Sequence, residues 1–151
     1  MGENFTFGLE RVRELREHAE SQAKEHLAAS LGQRLRGAAM LAQTSEELAA
    51  AAEAGKPEQG ERQAAADLLA HQRWMEALRR DQETAALSLD RLDAEVDARR
   101  SALGEASRDR EVLERLKQRR AAEHKAVLQR REGAALDEIA LNRHVRKEKR
   151  A

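Results

Sequence analysis

The side chains best suited to chemistry in this chain are its five histidines and its 28 Asp and Glu residues. His18 and His26 are eight residues apart and could share one helix face as metal ligands, but no third ligand lies at helical spacing. The sequence contains no HExxH pair, no glycine-rich phosphate loop and no cysteine. His71 falls within an apolar repeat, where a packed side chain is expected. We therefore expect no catalytic residue, no metal and no cofactor.

The composition indicates long helices instead of a globular core. Of 151 residues, 37% are charged and only 2% are aromatic, and the acidic and basic residues balance at 28 each. Ala and Leu supply most of the apolar content, and both favour helix. Regular leucines and zero net charge argue against disorder. Neither an 18-residue apolar run nor a signal-peptide pattern is present, so we expect a cytoplasmic protein with no inserted membrane segment.

One turn divides the chain. The segment 55–60 contains the only proline, Pro57, between Gly55 and Gly60, and these residue types end helices. The sequence thus predicts one helix over about 7–53 and a longer one over about 61–148, in a single coiled-coil domain spanning 1–151. Such a two-helix domain offers no enclosed pocket that would tune a carboxylate for catalysis.

The second helix carries a heptad repeat of apolar residues. Ten of the fourteen residues in two interleaved seven-residue series are apolar, which exceeds the three to four heptads that indicate a coiled coil. The first series is Leu68, Met75, Gln82, Leu89, Val96, Leu103 and Arg110. The second is His71, Leu78, Ala85, Leu92, Arg99, Ala106 and Leu113.

The first helix has a less regular apolar stripe. It begins with Leu9, Val12, Leu15 or Arg16, Ala19 and Ala23, and it resumes with Ala38, Leu41, Ser45 and Leu48. Between these stretches, Leu27, Leu31 and Leu35 step by four, which predicts a local unwinding of the supercoil. Thr44 and Glu47 fit a capping box, so the helix either restarts there or continues without interruption.

Two apolar stripes joined by a short turn predict an all-α fold, an antiparallel two-helix coiled-coil hairpin with a longer, overhanging C-terminal helix. With the turn centred near Pro57, Leu9 would lie opposite the region of Ala106. The part of the second helix beyond about Leu113 would then have no partner within the chain. That overhang would leave apolar residues in need of another surface: Leu116, Val127, Leu128, Leu136, Ile139 and Leu141. A monomer is one expectation for the free chain, although a heptad seam also serves pairing between chains.

Charge is unevenly distributed along the chain. Residues 111–151 contain twelve Lys or Arg and seven Asp or Glu, a net charge of +5, so residues 1–110 carry −5. The basic residues of this region are interleaved with acidic residues such as Glu123 and Glu132. Residues 111–151 also contain no Phe, Trp or Tyr to stack on nucleobases, which argues against nucleic-acid binding. Too few bulky apolar residues oppose the bases for a membrane-surface helix.

Two terminal segments resemble a known family. The opening Phe5-Thr6-Phe7-Gly8-Leu9-Glu10-Arg11-Val12, with its charged continuation to Glu17, is similar to the start of flagellar export stalk proteins, the FliJ family. The segment Arg130-Arg131-Glu132-Gly133-Ala134-Ala135-Leu136-Asp137-Glu138-Ile139-Ala140 resembles the closing pattern of that family. The order of shorter helix, loop and longer helix with a basic end also matches. Gly133 departs from the Gln or Lys often found at its position.

The resemblance implies a non-enzymatic stalk of the flagellar type III export apparatus, at the inner face of the cell membrane. Its implied partners are the export ATPase ring, the export-gate membrane protein and export chaperones. The ring would contact the two matching segments, through Phe5, Phe7, Leu9, Arg130, Arg131, Leu136, Asp137, Glu138 and Ile139. The alternative, from composition alone, is a generic coiled-coil scaffold or a nucleic-acid-associated coiled coil.

The resemblance also implies an export-gate contact early in the second helix, at Trp74, Leu78, Asp81 and Ala85. Asp81 departs from the apolar pattern of that contact. Leu78 and Ala85 also belong to the heptad series, where they would simply form the seam. Trp74 lies one position away from the seam and is expected to be partly exposed, which suits a binding hot spot.

Overall fold

The computed structural model describes residues 4–56 and 64–148. These residues form two α-helices, α1 (Glu10–Ala54, 45 residues) and α2 (Ala65–Glu148, 84 residues), and they contain no strand. The prediction of an all-α hairpin with a longer second helix is confirmed. Of the predicted turn, Gly55 and Lys56 are described, whereas the segment from Pro57 to Gly60 lies outside the described residues.

The helix ends follow from local hydrogen bonding and charge. At the start of α1, the amide of Glu10 donates to the carbonyl of Phe7 (3.0 Å), and an acidic residue in the first turn suits the helix dipole. At its end, the amide of Gly55 donates to the carbonyl of Ala51 (3.1 Å), which satisfies one of the last carbonyls. Asp67 supplies the acidic residue in the first turn of α2.

Each helix contributes a segment to two compact units. We call the residues Ser21–Glu105 the middle unit, and the residues up to Glu20 and from Ala106 onward the terminal unit. Within each unit, residues nearer the start of α1 contact residues farther along α2, so the paired segments are antiparallel. In the middle unit, for example, Gln82 Nε2 donates to Ser45 Oγ (2.9 Å), and Arg34 forms an ion pair with Asp93.

The seam of the middle unit confirms the heptad prediction for α2. Across the two series, thirteen of the fourteen residues are buried or half-buried, and only Leu68 is exposed. Met75 and Leu78 pack with Ala51 and the half-buried Leu48 in one apolar cluster. Val96 is only 2% exposed. Apolar burial therefore holds the middle unit together.

The predicted interruption of the α1 stripe was wrong. One series of its inward residues in the middle unit repeats every seven positions and is small, namely Ala23, Ser30, Gly37, Thr44 and Ala51, and a second series contains the half-buried Leu27, Leu41 and Leu48. Leu31 and Leu35, which suggested a drift, are 37% and 66% exposed. Small side chains bring α1 close to the large residues of α2: a Cβ on Gly37 would lie 2.6 Å from Leu92 Cδ1. Hydrophobicity alone does not identify such positions.

The helix α1 continues without a restart at Thr44. The hydroxyl of Thr44 donates to the carbonyl of Leu41 (3.0 Å), one turn back in the same helix, and so does that of Ser45 (2.8 Å). A buried hydroxyl satisfied in this way fits a helix interior. Of the two alternatives that the capping-box pattern allowed, the continuous helix is therefore correct.

The predicted register was wrong in the terminal unit. Glu10 pairs with Lys117 rather than with the region of Ala106, and Phe5 reaches His124. Since α2 begins only at Ala65, the longer connection shifts the pairing several turns toward the C-terminus. The overhang consequently does not begin near Leu113. Every residue from 129 to 146 is exposed, and we call residues 129–146 the uncovered segment.

Candidate partner-binding surfaces

The N-terminal aromatic residues lie against α2 within the terminal unit. Phe7 is 8% exposed. The ring of Phe5 is half-buried and lies 5.7 Å from the imidazole of His124, at an interplanar angle of 50°. Two of the nine residues that the resemblance assigned to ring binding, Phe5 and Phe7, thus pack within the chain itself, against α2.

Beside these aromatic rings lies an open cleft of about 540 Å³. Leu9, which is 42% exposed, contributes to it from the N-terminal side. The residues of α2 that line it are Leu116, Arg120, Glu123, His124 and Val127. The cleft combines apolar walls with the polar side chains of Arg120, Glu123 and His124.

Several ion pairs join the two helices in the terminal unit. Glu10 accepts hydrogen bonds from Arg13 Nε (2.9 Å) and from Lys117 Nζ (3.2 Å). These hydrogen bonds, from Arg13 first and then from Lys117, hold the pKa of the Glu10 carboxyl below its ordinary value of 4.5. The bond to Glu10 raises the pKa of the Arg13 guanidinium in turn.

A second ionic contact is more buried. Glu20 is 7% exposed. It accepts a hydrogen bond from Ser107 Oγ (3.0 Å) and forms an ion pair with Arg110 Nε (2.5 Å). Arg16 pairs with Asp109 (3.0 Å) on the exposed edge of the same interface. The directional contacts of Glu20 with two α2 residues fix the register of the terminal unit.

The C-terminal residues assigned to ring binding all lie in the uncovered segment: Arg130, Arg131, Leu136, Asp137, Glu138 and Ile139. They do not form one surface. Leu136 and Ile139, which are 66% and 51% exposed, line a shallow surface together with Arg143 and Arg146. Asp137 lines a different surface, together with Leu141.

The residues assigned to gate binding are also divided. Trp74 is 50% exposed, as expected, and its indole contacts the edge of His71 at a centroid distance of 5.8 Å. Asp81 is exposed. Leu78 and Ala85 are 9% and 7% exposed and belong to the seam. In this conformation, only Trp74 and Asp81 are accessible to a partner.

Sequence reasoning missed the residues that accompany these sites. Arg143 and Arg146 share the surface of Leu136 and Ile139, and their i+7 and i+10 spacing from Leu136 could have indicated it. Met40 lines a groove with Asp81, although the two residues belong to different helices. No sequence pattern could have brought those two together without the correct register.

Two further properties concern the described residues alone. They contain no group of three or more His, Cys, Asp or Glu side chains placed to hold a metal ion. Neither helix, over its described length, is apolar enough to cross a membrane.

The antiparallel helices define an all-α coiled-coil protein with exposed apolar and charged side chains along both helices. The sequence pattern of the flagellar FliJ protein family matches residues 6–149. The chain belongs to this family and is a component of the flagellar export apparatus. No curated protein and no solved structure matches the chain.

Proposed function

We propose that the chain is a non-enzymatic stalk of the flagellar type III export apparatus, which links the export ATPase ring to the membrane export gate and handles export chaperones. It would act on the cytoplasmic side, peripheral to the inner face of the cell membrane at the flagellar base. Family membership supports an export role. The linking role rests on the distribution of exposed residues over the helices.

The observation that carries the proposal is the uncovered segment of α2. It extends helix from residue 129 to 146 without burial, and bulky apolar side chains such as Leu136 and Ile139 remain in water. Such residues are costly to leave exposed unless a partner covers them. The excess of bases in residues 111–151, net +5, would attract an acidic ring interior.

The gate contact is proposed at Trp74 and Asp81, with Leu78 and Ala85 supporting the helix from the seam. An exposed Trp on a rigid helix provides a large apolar area at a small entropic cost, and Trp is enriched in binding hot spots. Since Trp74 belongs to the middle unit and the uncovered segment to the terminal unit, the two proposed contacts lie on separate parts of the chain.

The ring contact can be tested with the purified export ATPase of the same organism. Addition of the full chain is expected to raise phosphate release and to promote ring assembly, as measured by enzyme turnover and by sedimentation. A chain truncated after Asn142 should lose both effects and keep its unfolding midpoint in urea. If the full chain changes neither turnover nor assembly, and binds DNA with a steep salt dependence instead, the proposed function is wrong.

The gate contact is tested separately with the purified cytoplasmic part of the export gate. Trp74→Ala should weaken binding at least about tenfold, a typical hot-spot loss, while helix content stays unchanged. Leu87→Ala is the matched control, because Leu87 is also exposed on α2 in the middle unit, at 61%. Equal losses for both variants would remove the role proposed for Trp74.

A further inference from the structure

The uncovered segment continues the face of α2 that α1 covers elsewhere in the terminal unit. The covered face includes the half-buried residues Lys117, Ala121, His124 and Leu128, three or four residues apart. Continued in steps of three or four, this face passes Arg131 or Glu132, then Ala135, then Glu138 or Ile139. Beyond the last α1 contact it therefore includes charged positions, and its residues from 129 to 146 are exposed.

Charge is segregated on a surface beside this face. Leu136 and Ile139 line it, followed one to two turns farther along α2 by Arg143 and Arg146. Among the side chains that the structure describes, neither arginine has a carboxylate partner within 4.0 Å. Asp137 belongs to the surface with Leu141 on another side of the helix. The surface of Leu136 is apolar in its first half and basic in its second.

We infer that this surface, formed by Leu136, Ile139, Arg143 and Arg146, binds an acidic amphipathic helix of a partner protein, which packs on α2 beyond the part that α1 covers. This inference rests on the proposed function, because the partner belongs to the export machinery. The apolar side of that helix packs on Leu136 and Ile139. Its carboxylates lie beside Arg143 and Arg146, where bidentate pairs with arginine are favourable.

The charges favour this occupant over a second copy of the chain. The residues that line this surface include two arginines and no carboxylate. A second copy would therefore bring no carboxylate of the same surface to Arg143 and Arg146. A partner helix with several carboxylates at one end satisfies both.

The test uses the full chain and a labelled amphipathic peptide of about six helical turns, with leucines on one side and glutamates near one end. A peptide with lysines in place of the glutamates serves as its counterpart. Binding is followed by fluorescence anisotropy over a range of salt concentrations. The glutamate peptide should bind at least about tenfold more tightly than the lysine peptide.

The chain offers a closely matched pair of variants. Leu136 and Leu141 are 66% and 65% exposed, yet they point about 140° apart around the helix. Leu136→Asp should weaken peptide binding at least about tenfold, and Leu141→Asp should leave it unchanged. The double variant Arg143→Gln and Arg146→Gln should lower affinity and flatten the salt dependence.

Three results would each overturn the inference: equal binding of the two peptides, equal effects of Leu136→Asp and Leu141→Asp, or no binding at about 1 mM peptide. Sedimentation of the chain alone is the fourth measurement. A dimer that Leu136→Asp dissociates would show a second copy on this surface and would also overturn it. The peptide experiment does not contain the ATPase, so it can succeed when the proposed stalk function fails, and the reverse also holds.

Discussion

The two units pair the same two helices through different chemistry. In the middle unit, small residues of α1 meet large apolar residues of α2, and Val96 and Ala51 are 2% and 1% exposed. In the terminal unit, ion pairs join the helices beside half-buried apolar residues such as Leu113 and Leu116, and the buried Glu20 carboxylate contacts Ser107 and Arg110. Apolar burial supplies most of the stability of a coiled coil, whereas ion pairs supply register and specificity.

The apolar residues of α1 in the terminal unit reinforce the contrast. Leu9 and Val12 are each 42% exposed, and Leu15 is 69% exposed, so much of each side chain remains in contact with water. Phe7 is the well-buried apolar residue of this N-terminal segment. We therefore expect the terminal unit to open at a lower free energy than the middle unit, which would release Phe5 and Phe7 for a partner.

The largest expected effect is that of a seam substitution in the middle unit. Leu78→Ala removes a side chain that packs with Ala51 and Met75, and a buried Leu→Ala change lowers the free energy of unfolding by about 2–5 kcal/mol. Urea denaturation followed by circular dichroism measures it. Leu87→Ala, at a 61% exposed position, should have almost no effect. Similar losses for both would mean that Leu78 does not belong to the stabilising seam.

The next effect concerns the buried carboxylate of the terminal unit. Glu20→Ala leaves Arg110 and Ser107 without their acceptor, which we expect to cost about 1–3 kcal/mol. Hydrogen exchange should show faster opening of the α1 segment before Ser21 and unchanged protection in the middle unit. Glu17→Ala is the control, since Glu17 is 57% exposed in its ion pair with Arg13. Equal losses of protection in both units would contradict the division between them.

Sequence predicted one side of each interface better than the other. The α2 seam was predictable because Leu78, Leu89 and Val96 are large and recur every seven residues or at the matching half-steps. The opposing α1 positions were predictable only in part: Leu41 and Leu48 were expected on the stripe and are half-buried, whereas Gly37 and Thr44 carry no hydrophobic signal. The register depended on the length of the connection before Ala65, which breaker residues mark but do not measure.

The candidate sites, like the interfaces between the helices, were predictable from the sequence only in part. Trp74 could be identified as exposed from its place beside the α2 seam. The intramolecular use of Phe5 and Phe7 could not be identified, because it depends on α2 residues such as His124 that lie far along the chain. The separation of Leu136 from Asp137 requires only helix geometry, and the family resemblance concealed it by grouping both in one motif.

A smaller effect, with opposite sign, is expected at Gly133 in the uncovered segment. A Cβ placed on this residue meets no atom within 4 Å, so alanine fits without strain. Gly133→Ala should stabilise the helix by about 1 kcal/mol, because glycine lowers helix propensity by that amount. Hydrogen exchange of the surrounding amides measures the change. No gain in protection there would show that Gly133 does not limit the stability of this segment.

The smallest expected effect is a pH dependence confined to the terminal unit. The pKa of Glu10 lies below its ordinary value of 4.5 because Arg13 and Lys117 donate hydrogen bonds to the charged carboxylate. The folded state therefore holds this proton less tightly than the unfolded state does. The contribution of Glu10 to the stability of the folded state is therefore fully present above pH 4.5, the ordinary pKa of the unfolded chain. It is lost as the pH falls below this value and through the lower pKa of the folded state. The terminal unit should consequently loosen at acidic pH before the middle unit does.

A carboxyl NMR titration of Glu10 checks this prediction directly. The midpoint should lie below 4.5, and both Arg13→Ala and Lys117→Ala should raise it, with the larger increase for Arg13, whose hydrogen bond is the main cause. Lys125→Ala is the control, because Lys125 forms no described hydrogen bond with Glu10. If Lys117→Ala leaves the midpoint unchanged, Glu10 is held by its own helix alone. The contrast between an ion-paired terminal unit and an apolar middle unit would then rest on Glu20 and the exposed pairs.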